Sequence, residues 1–211
     1  MKINYKNLNH IEFELKKFKD SGLLIVTKNQ KIDEIKELIL KGYKIFGENR
    51  VQEALQKYSG LSNPNNIELH LIGPLQTNKV KSALQLFDVI QSIDRISLVD
   101  SIVKKINSLE KTRTKEFYIQ VNIGEEHQKG GVAKKDLSNL FQYCLKNNLK
   151  INGLMCIPPN IADPSKYFLE MKEIRNNIDR SLKLSMGMSN DYKIALKFDS
   201  NIIRIGSMIF Q

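Results

Sequence analysis

Eight short apolar runs recur along the 211 residues, and each of the first seven is followed by a stretch whose apolar positions fall three and four apart. A short apolar run closed by polar residues suits a strand buried on both faces, whereas the three-and-four spacing suits a helix with one buried side. The runs occupy 23–28, 43–49, 67–73, 88–94, 116–122, 151–157, 183–186 and 202–206. Helices are expected between them at 33–40, 51–58, 77–87, 96–109, 134–147, 164–180 and 191–197. Gly42 stops the first of these, Thr77 caps the third, and 63–66 turns the chain into the third strand. Ahead of the first strand, 5–19 carries Leu8, Ile11, Phe13, Leu15 and Phe18 among charges, the pattern of an amphipathic helix packed on the outside.

Strand-then-helix units with short connections make a parallel α/β fold, and eight of them suggest a closed (β/α)8 TIM barrel. An open doubly wound sheet is the alternative, weakened because no Gly-x-Gly-x-x-Gly follows an early strand. A chain of 211 residues, 41% hydrophobic, has room for one sizeable core, so 1–211 reads as a single domain with 1–20 as a helix outside the barrel. No apolar run approaches a membrane span, and the charged segment 12–19 replaces a signal-peptide core, so the expectation is a cytoplasmic protein with no membrane partner. Cys144 and Cys156 lie far apart and the three histidines are scattered, which argues against a redox pair or a protein metal site. A formal charge of +10 raises nucleic acid as a partner, but the lysines are spread among asparagines without a dense basic run, so none is expected.

Barrels of this kind carry their site at the carboxyl ends of the strands. Those ends are Lys28, Asn49, the edge from His70 to Gly73, Ser92, Asn122, Met155, Ser185-Met186, and Arg204 with Gly206 and Ser207. No acidic pair of the glycosidase type and no Ser-His-Asp arrangement appears among them. Alternation places Lys28 on the face of Leu24 and Val26, at the end of a buried strand. An amine there would be partly desolvated and more often neutral, the form that attacks a carbonyl. The competing reading is a lysine that ends a strand and reaches to water.

The loop Ser185-Met186-Gly187-Met188-Ser189-Asn190-Asp191 opens a helix, and Ile205-Gly206-Ser207 brings a second glycine to a strand end. Backbone N–H groups at such places can cradle an anion, and the last two loops are the usual phosphate site of this barrel. Two ordinary turns, with Ser189 or Asn190 capping a helix, fit the same residues. Arg204 shares the face of Gly206. A lysine nucleophile, an anion cradle and an inward arginine together suggest a phosphorylated aldehyde, and pyridoxal 5′-phosphate (PLP) fits best. Lys28 would form the Schiff base, the late loops would hold the phosphate, and Arg204 could donate to the ring nitrogen, weakening the ring as an electron sink.

The arrangement resembles the PLP homeostasis proteins, single-domain relatives of the alanine racemase N-terminal barrel. The resemblance runs from Leu23 to Phe210 and rests on Val26-Thr27-Lys28, Phe46-Gly47-Glu48-Asn49-Arg50-Val51-Gln52-Glu53 and His70-Leu71-Ile72-Gly73-Pro74-Leu75-Gln76-Thr77-Asn78-Lys79. It continues through Gly153-Leu154-Met155-Cys156-Ile157-Pro158, the loop 185–191 and Ile203-Arg204-Ile205-Gly206-Ser207-Met208-Ile209-Phe210. It implies a PLP-linked lysine at Lys28, phosphate contacts at Ser189, Gly206, Ser207 and Ser185, the pyridine-side arginine at Arg204 and a cofactor-proximal asparagine at Asn49. His70 and 76–79 belong to a signature whose role the residues do not disclose. The chain stops at Gln211, where relatives commonly continue, and the loop 124–131 matches the family only loosely.

The resemblance implies intracellular buffering, protection or delivery of PLP, with PLP-dependent client enzymes as partners and without robust turnover. The alternative is a PLP-dependent amino-acid racemase or related enzyme. A two-base racemase needs a second acid/base, which in alanine racemase the resemblance places on a tyrosine of a second domain. The barrel consumes the chain here, so the alternative requires a nearby tyrosine such as Tyr118 or Tyr192. A monomer is expected, since no dimer arm is visible.

Overall fold

The computed structural model describes residues 2–59, 61 and 66–211. Among these residues, eight parallel strands close a barrel in chain order. They are β1 (Gly22–Val26), β2 (Ile45–Glu48), β3 (Glu68–Leu71), β4 (Val89–Ile93), β5 (Glu116–Val121), β6 (Gly153–Cys156), β7 (Lys183–Ser185) and β8 (Ile202–Ile205), and β8 pairs back onto β1. The barrel, not the open sheet, is therefore the architecture. Helices α2 (Ile32–Leu40), α3 (Val51–Tyr58), α4 (Val80–Leu86), α5 (Ile96–Ser108), α6 (Lys134–Lys146), α7 (Ser165–Ile178) and α8 (Tyr192–Leu196) follow β1 through β7 in turn, and α1 (Tyr5–Leu15) precedes them.

Alternation divides each strand between two cores. Ile25, Phe46, Leu69, Ile90, Phe117, Ile119, Leu154, Leu184 and Ile203 belong to the large cluster shared with the helices. The other face turns into the barrel, where Leu24 stands in register with Arg204, Gly47 with His70, and Met155 with Ser185. This inner column mixes apolar and polar side chains.

The ends of the chain are paired with each other. Ile3 forms an antiparallel bridge with Phe210, Asn4 N–H donates to the Ile209 carbonyl at 2.7 Å, and the Asn4 side chain caps α1 by accepting from Asn7 N–H. Leu8 and Ile11 bury the inner side of α1, as its apolar spacing requires.

Three local expectations need adjustment. Thr77 does not cap α4: it opens a 3₁₀ turn, Thr77–Lys79, whose flanking residue is Gln76, and no side chain caps either segment. β1 ends at Val26, so Lys28 lies two residues beyond the ladder. Of the turn expected at 63–66, residues 63–65 lie outside the described residues. No helix among the described residues is long and apolar enough to cross a membrane, and no group of His, Cys, Asp and Glu there could hold a metal ion.

Candidate functional site

Lys28 sits in a turn that is braced on both sides. Thr27 N–H completes the ladder to the Gly47 carbonyl at 2.9 Å, after which Gln30 N–H returns to the Thr27 carbonyl and Asn29 takes a left-handed φ of 61°. The Thr27 hydroxyl is buried, donating to Glu48 Oε1 at 2.7 Å while accepting from the Tyr58 hydroxyl at 2.7 Å. Lys57 Nζ then ties the parts together, donating to the Thr27 carbonyl at 2.6 Å, to Glu48 Oε1 at 3.0 Å and to Glu53 Oε1 at 2.5 Å. Glu53 also accepts from Asn29 N–H. The backbone is thus held immediately before and after Lys28, while the Lys28 side chain is exposed. The desolvation expected of Lys28 is not what the structure shows, because the strand ends at Val26 and the Lys28 side chain is exposed.

Glu48, Glu53, Lys57 and Tyr58 were not singled out by sequence. Their signal was present in part: Glu48 shares the outward face of Phe46, so it must meet a helix rather than water. Burial raises the Glu48 carboxyl above the ordinary glutamate value, against the lowering effects of Thr27 and Lys57. An acid raised in the folded state contributes full stability below its unfolded value and loses it as pH rises through the folded one. Glu48→Gln keeps an acceptor for Thr27 but cannot ionise. Its Tm relative to wild type is therefore expected to rise as pH rises above the ordinary glutamate value, and thermal melts showing a pH-independent difference would contradict this account.

The loops after β7 and β8 converge. Ser207 Oγ donates to Ser189 Oγ at 3.0 Å, joining the loop after β7 to the loop after β8. Ser207 is exposed and Ser189 half-buried, so both hydroxyls can turn toward one ligand oxygen. The β7 loop reaches this position through Gly187, whose φ of 96° suits glycine and whose added Cβ would lie 2.7 Å from the Ala195 Cβ. Gly206 packs against the end of β1, where a Cβ would stand 3.1 Å from the Val26 carbonyl oxygen. The helix-cap alternative does not hold, since Asp191 occupies the N-cap of α8 and accepts from Met188 N–H at 2.6 Å.

Arg204 is buried inside the barrel just below these loops. Its Nη1 donates to Ser185 Oγ at 2.9 Å and its Nη2 to the Cys156 carbonyl at 2.8 Å, which leaves three of its five N–H donors uncommitted by those bonds. Burial pulls the guanidinium below its ordinary value, partly offset by Asp191. Ser185, expected among the phosphate contacts, is fully buried, and its hydroxyl donates to Gln91 Oε1 at 2.7 Å. It supports Arg204 instead, because register with Met155 places it in the barrel interior rather than in the loop. Asn49 is half-buried beyond the end of β2, and its backbone lies so close to Gly73 that a Cβ there would sit 2.2 Å from the Asn49 carbonyl oxygen. Asn122 spends its side chain folding its own loop, accepting from Glu126 N–H and donating to the Glu126 carbonyl.

Of the two tyrosines considered as a second acid/base, Tyr118 is engaged away from this end. Tyr118 OH donates to Glu116 Oε2 at 3.2 Å, at the opposite, amino-terminal end of β5. Tyr192 is buried on α8, and its environment includes Glu14 of α1, outside the barrel.

Residues 5–211 match the family described as alanine racemase, N-terminal domain. The pyridoxal phosphate homeostasis protein of Aquifex aeolicus is 40% identical over 197 residues, spanning 89% of this chain and 85% of its own. PipY of Synechococcus elongatus without PLP superposes with a TM-score of 0.85 at 30% identity, covering 98% of this chain and 99% of PipY. With PLP bound, PipY superposes at 0.81 and 28% identity, over the same shares of the two chains. Alanine racemase from Acinetobacter baumannii gives 0.76 at 16% identity, covering 98% of this chain but 61% of the racemase, a likeness of fold alone.

Proposed function

The chain belongs to the pyridoxal phosphate homeostasis proteins, and from that premise we propose that it binds pyridoxal 5′-phosphate at the Lys28 end of the barrel and serves its intracellular homeostasis. When bound, PLP supplies an aldehyde carbon that a lysine amine can attack with loss of water. The carrying observation is that the Ser189 and Ser207 hydroxyls meet at 3.0 Å, beside the end of the strand that delivers Lys28. These hydroxyls, with the open backbone at Gly206, suit a phosphate. Lys28 is the point of covalent attachment, its turn held by Lys57 and Glu53. Asn49 lines the same end from β2, and Arg204 presents a positive charge that keeps a proton off a neighbouring basic ring nitrogen.

A holding protein follows better from this geometry than a racemase. Two-base chemistry needs a second proton carrier across from Lys28, and the hydroxyls of Tyr118 and Tyr192 are engaged elsewhere or buried outside the barrel. The proposal therefore comprises buffering, protection or delivery of PLP by a single cytoplasmic barrel spanning 1–211, a monomer that hands PLP to client enzymes. The test adds PLP and then L-alanine, following bound-cofactor absorbance and optical activity together. Cofactor binding without sustained racemisation is expected. Sustained racemisation that disappears in Lys28→Ala would establish the enzyme reading instead.

A further inference from the structure

The barrel interior holds a continuous line of hydrogen bonds whose donors all point one way. Arg204 Nη1 donates to Ser185 Oγ at 2.9 Å, and that hydroxyl donates to Gln91 Oε1 at 2.7 Å. With its oxygen engaged, Gln91 offers Nε2 to His70 Nδ1 at 2.7 Å. Nδ1 accepts, so the proton of the neutral imidazole resides on Nε2, where it meets Glu68 Oε1 at 2.6 Å. Arg204, Ser185, Gln91 and His70 are buried, none more than 3% exposed. Glu68, by contrast, has a side chain 51% exposed at the start of β3. It lines a cavity of about 1060 Å³, together with Lys44, Asp88, Arg113 and Lys183, at the end of the barrel opposite Lys28.

Buried polar groups are costly unless every member is satisfied, and an apolar filling would serve a barrel core more simply. This line joins a cation at one end to a carboxylate at the other, so each bond polarises the next in the same sense. We propose that His70, Gln91 and Ser185 are positioning residues that orient Arg204 toward the place of the PLP ring nitrogen, with Glu68 setting the direction of the line from the far face. The proposal rests on the PLP-binding reading.

Its logic is a choice between two directions. Without the Glu68 carboxylate, His70 gains freedom to carry its proton on Nδ1. The Gln91 amide must then turn, presenting Nε2 to Ser185. Ser185 Oγ then accepts from both Gln91 and Arg204, and its own proton loses its acceptor. A change on one face of the barrel is thereby felt at the arginine near the other.

The test uses full-length protein labelled with ¹⁵N-histidine, alone and then with PLP, as wild type, Glu68→Ala and Ser185→Ala. In the wild type without PLP, the His70 signals should report a bare Nδ1 and a protonated Nε2. Glu68→Ala, a half-exposed position that should fold normally, is expected to move both nitrogen signals and to shift the absorbance band of bound PLP. Ser185→Ala should weaken PLP binding on the order of tenfold, since a hydrogen bond from a charged donor is lost. A wild-type His70 protonated on Nδ1 would overturn the proposal. So would Glu68→Ala leaving the His70 signals and the PLP band in place. Wild type that binds no PLP would overturn the cofactor reading and the proposal with it, a result told apart because the His70 signals are read without PLP.

Discussion

Lys28→Ala is expected to eliminate covalent capture of PLP while leaving the fold intact. Pyridoxal aldehydes react reversibly with any exposed amine, and this chain exposes many, so reactivity alone does not select a site. Position does. Thr27 and Asn29 are each fixed by the braces from α3, so the backbone on both sides of Lys28 is held, and the strand before it ends against Gly206. A phosphate held at the proposed Ser189–Ser207 cradle would raise the local concentration of aldehyde at Lys28 over that at other lysines, which is the entropic advantage of a pre-organised pair. Borohydride reduction of the loaded wild type, followed by peptide mass mapping, should give one dominant adduct on Lys28. In Lys28→Ala that adduct and its absorbance band should vanish, with affinity falling on the order of a hundredfold or more. Because the Lys28 side chain is exposed, the unfolding free energy should change by no more than about 0.5 kcal/mol. Adducts scattered over other lysines in the wild type would mean that Lys28 is an ordinary surface amine.

That contrast reflects what could be read from the residues. The strands were legible because walls buried on both faces leave uninterrupted apolar runs, and each observed strand lies within two residues of its run. That the loops of Ser189 and Ser207 meet was legible, because consecutive strands of a closed barrel bring the loops after β7 and β8 side by side. Lys28 was legible in position but not in environment. An apolar run shows where a strand can be, whereas its end was decided by the left-handed Asn29 and by Thr27 turning its hydroxyl to Glu48. The brace stayed hidden because Glu48, Glu53, Lys57 and Tyr58 look like an ordinary polar stretch until α3 is laid against β1. Ser185 was misplaced for a reason of register: a residue at the end of β7 reads as loop, yet its pairing with Met155 turns it inward onto Gln91. His70 carried a recognisable signature without a role. Its partner Gln91 lies two residues beyond Val89, with which His70 is in register, and only strand pairing reveals that neighbour.

Ser207→Asp should separate recognition of the phosphate from recognition of the ring. At neutral pH a phosphate monoester carries a charge of about −1.5 to −2, and the proposed cradle would offer it neutral hydroxyls. A carboxylate at 207 would put a negative charge where a hydroxyl now lies 3.0 Å from Ser189 Oγ. Like charges juxtaposed in a binding site cost several kcal/mol, which corresponds to a loss of PLP affinity of about a thousandfold. Unphosphorylated pyridoxal lacks the repelling group, so its weaker binding should change by less than about threefold. Ser207 is exposed, so the substitution should be neutral for folding and visible only in the ligand titrations. Lowering the pH toward the second phosphate ionisation, near 6, should recover part of the lost affinity because one negative charge is removed. Equal losses for PLP and pyridoxal would place the phosphate elsewhere and leave the Ser189–Ser207 pair as a contact that merely joins two loops.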